Sequence, residues 1–107
     1  MKSDKIIFVD ETLEKAFNEL SEKDPIKKAI IKAIKNIEEN VHSGRSVKKK
    51  LIPKQLIQKY NINNLWVYNL PSSWRLIYSL TKSEDIKIIA AILNWMNHKD
   101  YERLFNF

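Results

Sequence analysis

The chain has 107 residues, a formal charge of +6, 44% hydrophobic residues and 30% charged residues. These proportions fit a domain with its own core and exclude a disordered chain or a fibrous rod. With no cysteine and two histidines, a disulfide framework, a thiol nucleophile and a thiolate metal site are excluded, and no zinc site or other cofactor is expected.

Between Met1 and Glu11 only Ile6 to Val9 are consecutively apolar, too few for a secretory signal. The same β-branched run reads as a strand. Asp10 or Thr12 can then cap a helix in which Leu13, Ala16, Phe17 and Leu20 recur at helical spacing. Asp24-Pro25 restarts the chain. Aspartate is a good N-cap, and proline suits the first helical position, where its missing N–H costs nothing. Ile26, Ala29, Ile30, Ala33, Ile34, Ile37 and Val41 mark one face of this second helix. Gly44, the only glycine, is expected to end it. Two helices this close form a hairpin.

Arg45 to Asn64 is less regular. Pro53 interrupts it, and Lys54 to Tyr60 could form a short helix. From Leu65 the period changes to two. Leu65 to Leu70 reads as a strand, Pro71-Ser72-Ser73 as a turn and Trp74 to Leu80 as a second strand. A turn at Lys82 to Asp85 precedes a third strand, Ile86 to Leu93, whose apolar character predicts an interior position. His98 to Phe105 reads as a terminal helix, with His98, Tyr101 and Phe105 on one side. The longest apolar run, Ile88 to Leu93, is far short of a membrane span, so a cytoplasmic protein is expected.

The order β-α-α-β-β-β-α predicts one α+β domain over residues 1–107. It would have two layers, with the helical hairpin packed on one face of a small, mainly antiparallel sheet and the other face free.

The positive charge is concentrated. Residues 41–83 carry eight basic residues and no acidic one, whereas 1–40 and 84–107 each sum to −1. Such a block suits a polyanion, either nucleic acid or an acidic protein segment. The plain alternative is a solvated basic loop.

No phosphate loop, nucleophile elbow or metal-binding helix motif is present. Glu38-Glu39 and Glu84-Asp85 sit at a helix end and a turn, where solvated acids are common. The candidates for chemistry are polar residues at apolar strand ends. Arg75 lies in a mostly apolar strand and needs an anion, a carboxylate or an open face. His98 opens the last helix and could be a proton carrier, an N-cap or a packed ring. Tyr101, Trp66 and Tyr68 could be functional or core aromatics. Strand register decides part of this. A two-residue turn at Pro71-Ser72 pairs Tyr68 with Arg75 and puts Trp66, Tyr68 and Arg75 on the free face. A three-residue turn pairs Asn69 with Arg75 and moves the aromatics to the other face.

The stretch "NLWVYNLPSSWRLIYSL", an apolar strand and then "NHKDYERLF" resemble the RelE/ParE superfamily of toxins. Arg75 in "WRLIY" is similar to the family's strand arginine. His98 and Lys99 resemble the basic pair after the last strand, and Tyr101 the terminal aromatic. The resemblance implies the toxin of a type II toxin–antitoxin module, neutralised by a small antitoxin that wraps around it. The RelE-like branch implies a metal-independent endoribonuclease that cleaves mRNA on the ribosome. Arg75, His98, Tyr101 and Lys99 would then be catalytic. Arg45, Lys48, Lys49, Lys50, Lys54 and Lys59 would dock on RNA phosphates, with Trp66 and Tyr68 stacking on bases. The alternatives are a ParE-like inhibitor of DNA gyrase and an inactive RNA-binding relative. Trp66 and Tyr68 stand where the ribosome-dependent pattern has lysines.

Overall fold

The computed structural model describes residues 5–82 and 88–106. Strand β1 (Lys5–Phe8) leads into helix α1 (Glu11–Glu19). Asp10 caps α1, its carboxylate accepting the Leu13 N–H at 2.8 Å. Asp24 does the same for α2 (Pro25–Glu39), accepting the Ile26 N–H at 2.9 Å, with Pro25 in the first turn. Next come β2 (Arg45–Ser46), a 3-10 turn at Lys49–Leu51 and α3 (Lys54–Tyr60). Strand β3 (Trp66–Asn69) and a 3-10 turn at Pro71–Ser73 lead into β4 (Arg75–Lys82), β5 (Ile88–Met96) and α4 (His98–Phe105). Ser83 to Asp85 of the expected second turn, and Ile86 and Lys87 of the expected third strand, lie outside the described residues.

Among the described residues the architecture is α+β, with four helices and a five-stranded mixed sheet in the order β1-β5-β4-β3-β2. Strand β1 runs parallel to β5, and the other pairings are antiparallel. The third expected strand is interior, between β1 and β4.

Both faces of the sheet are covered. Ile30, Ala33 and Ile37 of α2 cluster with Leu76, Tyr78, Ala90 and Ile92 on one side. Leu56 of α3 and Tyr101 of α4 cluster with Val67, Ile77, Leu93 and Met96 on the other. Burying one such aliphatic side chain contributes about 1.5–3 kcal/mol, so an apolar sheet face recruits whatever apolar helix the chain supplies. The expectation of two layers with one free face is corrected on this point: α3 and α4 form a third layer.

The turn before β4 fixes the register. The Leu70 N–H donates to the Trp74 carbonyl at 2.9 Å, framing Pro71, Ser72 and Ser73. Ser72 and Ser73 both have positive φ, at 59° and 65°. Asn69 pairs with Arg75 and Trp66 with Tyr78, which is the three-residue alternative. Trp66 and Tyr68 therefore pack with the hairpin-side cluster, and the idea of one surface shared by Trp66, Tyr68 and Arg75 is overturned. A bulge adds a further change of face. Ile77 pairs with Asn94 but Tyr78 with Ile92, leaving Leu93 over, so Ile92 and Trp95 both reach the hairpin side.

Gly44 does not end α2. The helix stops at the Asn40 cap, in extended backbone. Gly44 is small for another reason: a Cβ there would lie 2.7 Å from the Val67 carbonyl oxygen and 2.9 Å from the Tyr78 hydroxyl.

Candidate functional site

Helix α4 starts at His98 because Asn97 caps it, its Oδ1 accepting the Asp100 N–H at 2.9 Å. His98 is thus not the cap. One turn on, Tyr101 is buried against the sheet, its ring 4.8 Å from that of Phe105.

Two arginines from other elements meet Tyr101. Arg75 opens β4, and its guanidinium carbon stands 5.4 Å from the centroid of the Tyr101 ring, a cation–π arrangement. Its Nη1 donates to the Trp74 carbonyl at 3.2 Å, while its Nε is buried with no hydrogen-bond partner. Arg45 comes from β2. Its Nη2 donates to the Tyr101 hydroxyl at 3.0 Å and its Nη1 to Asn69 Oδ1 at 3.0 Å. Among the described residues no carboxylate lies within 4.0 Å of either guanidinium; the ion pairs are elsewhere.

The position of Arg45 is set from the core. The Tyr78 hydroxyl accepts the Gly44 N–H at 2.9 Å and donates to the Val41 carbonyl at 2.7 Å. That clamp holds the segment leading into β2, and Arg45 follows it directly. Burial pushes the Tyr78 phenol above its ordinary value; the Gly44 N–H opposes the shift and neighbouring Tyr68 adds to it.

The structure therefore brings together Arg75 and Tyr101, as the sequence candidates suggested, and adds Arg45 and Asn69. The sequence alone groups Arg45 with the docking lysines. The visible signal for a distinct role was its place directly after the only glycine. Asn69 gave no signal. His98 is exposed, with Nε2 meeting Glu102 Oε1 on its own helix, and Lys99 is exposed beside it.

Lys48, Lys49, Lys50, Lys54 and Lys59 are all exposed, Lys48 just before the 3-10 turn, Lys49 and Lys50 on it, and Lys54 and Lys59 on α3. Lys59 lies 5.2 Å over the Tyr60 ring. With Arg103 it also lines a groove of about 590 Å³ between α3 and α4. Trp66 contacts two rings, with centroids 5.0 Å from His42 and 6.2 Å from Tyr78. The Tyr68 hydroxyl accepts from Asn36 Nδ2 at 2.6 Å. Among the described residues no helix is long and apolar enough to cross a membrane, and no group of three or more acidic or histidine side chains is placed to hold a metal ion.

Two guanidiniums on one tyrosine, neither with a carboxylate partner among the described residues, can grip an anion with several oxygens, such as a phosphodiester, because each presents a planar fork of donors. Residues 8–94 match the family described as ParE toxin of type II toxin-antitoxin system, parDE, and the chain belongs to that family. It is a type II toxin of the RelE/ParE superfamily, and membership implies a cognate antitoxin as partner. No curated protein and no solved structure gives a match.

Proposed function

We propose that this toxin is an endoribonuclease that cuts mRNA, acting on the ribosome. One observation carries the reading: Arg45 and Arg75 converge on Tyr101, at its hydroxyl and over its ring, with no carboxylate on either among the described residues.

The reaction is attack of a 2′-hydroxyl oxygen on the adjacent phosphorus, with loss of the 5′-oxygen. It needs a base for the hydroxyl proton, cations for the charge that gathers on the phosphate, and an acid for the leaving oxygen. Arg45 and Arg75 serve the phosphate. His98 moves a proton, its ring oriented by Glu102. Tyr101, buried, holds Arg45 through its hydroxyl and Arg75 over its ring, and its hydroxyl is the second group that can move a proton. Lys99 is the supplementary cation at the open end of α4.

Expression in a bacterial host, with and without the neighbouring reading frame, tests the reading. The expected result is growth arrest with mRNA cut inside codons, relieved by co-expressed antitoxin. Arrest with DNA damage and intact mRNA would instead establish inhibition of gyrase.

A further inference from the structure

Strand β2 is two residues long and pairs with Trp66 and Val67. Past its end, at Tyr68 and Asn69, two adjoining hollows open along the edge of β3. One, of about 360 Å³, lies between Ser43, Gly44, Arg45 and these two residues. The other, of about 310 Å³, lies between Lys32, Pro71 and the same two residues. Arg45 borders the first hollow, Lys32, exposed on α2, borders the second, and Tyr68, part-buried, borders both.

The geometry points to a track for single-stranded RNA over this edge, with one phosphate on Arg45, the next base against the Tyr68 ring and the following phosphate on Lys32. The inference rests on the endoribonuclease reading and deepens it, since Arg45 would join the track to the cleaved phosphate. Three features support it. Alternating cations and aromatic platforms are what an unpaired strand requires, because every base has a stacking face and every linkage a charge. The Tyr68 phenol is held in place by Asn36, so the platform is set before RNA arrives. Asn69 spends its Oδ1 on Arg45, and its amide N–H groups have no protein partner among the described residues. Asn69 is exposed and lines both hollows, so in the track those donors would meet the polar edge of a base. Bases of unpaired RNA are read by such edge contacts.

The test is binding of fluorescent RNA oligomers, roughly ten nucleotides long. They carry 2′-O-methyl groups, so no 2′-hydroxyl can attack. The parent is expected to bind. Tyr68→Ala and Lys32→Glu are each expected to weaken binding by about fivefold or more. Asn69→Asp keeps an acceptor for Arg45 but removes the donors, and is expected to change the order of preference among the four homopolymers. Tyr68→Leu and Lys32→Ala replace any variant that melts below the parent. Failure of the parent to bind overturns the track, as does equal binding by the parent and the Tyr68 and Lys32 variants. The nuclease reading is judged separately by mRNA cleavage in cells. A parent that cuts mRNA while these variants bind as it does would sink the track alone.

Discussion

The backbone N–H of Gly44 donates to the hydroxyl of Tyr78 at 2.9 Å, and that contact couples the core of the domain to its cationic cluster. Arg45 is the next residue, and its guanidinium reaches the Tyr101 hydroxyl. A buried phenol on β4 thereby sets the place of an arginine on β2.

Gly44→Ala is expected to destabilise the fold by about 1–3 kcal/mol, because its Cβ would meet backbone at Val67 as well as the Tyr78 hydroxyl, and backbone cannot yield cheaply. Thermal melting checks this. A variant that melts with the parent would show that the segment relaxes away from β3.

Tyr78 gives a pH dependence of known sign. Burial raises its phenol above the ordinary value of 10.0. Below about pH 10 the phenol is protonated in both folded and unfolded chains, and its contribution to stability is complete. As pH rises further the unfolded chain loses the proton first, so stability falls until the folded phenol titrates. Tyr78→Phe is expected to flatten part of that alkaline decline. At neutral pH it costs about 1–3 kcal/mol, by leaving the Gly44 N–H and the Val41 carbonyl without this partner. Denaturant unfolding at a series of alkaline pH values checks both effects.

Asn97→Ala removes the α4 cap and is expected to cost about 1 kcal/mol. Because α4 carries Tyr101 and His98, cleavage should fall with it. Asn97→Asp, which keeps the acceptor, should restore both melting and cleavage.

The lysines concern docking. Lys48, Lys49 and Lys50 are exposed and lie in the one stretch free of acidic residues. Contacts with ribosomal RNA phosphates release counterions, so co-sedimentation with ribosomes should weaken steeply as salt rises. Changing all three to Glu should abolish it. Salt-independent association would assign these residues to solvated surface.

Much of the fold was legible because local chemistry agreed with it. Asp10 and Asp24-Pro25 mark helix starts by supplying carboxylates and a preset φ, and α4 spans His98–Phe105 as its pattern indicated. The register at Pro71 was not legible. Ser72 and Ser73 adopt positive φ, a conformation that glycine or asparagine would have signalled. One residue in that turn decided whether Tyr68 or Asn69 stood opposite Arg75. The leftover Leu93 was equally silent. The candidate cluster was half legible. Arg75 and Tyr101 showed as polar or aromatic residues in apolar surroundings, whereas His98, read the same way, stands exposed on α4. The bond from Arg45 to Tyr101 spans 56 residues, and nothing local encodes it.

Cleavage of mRNA on translating ribosomes by purified toxin, mapped at nucleotide resolution, tests the central claim most directly when Arg45→Ala, Arg75→Ala and His98→Gln are compared with the parent. The parent is expected to cut. Each variant is expected to melt close to the parent and to cut more slowly, by roughly 10²–10³-fold for the arginines that carry phosphate charge and roughly 10²–10⁴-fold for His98. A parent that leaves mRNA intact, or three folded variants that cut as fast as it does, would contradict the account.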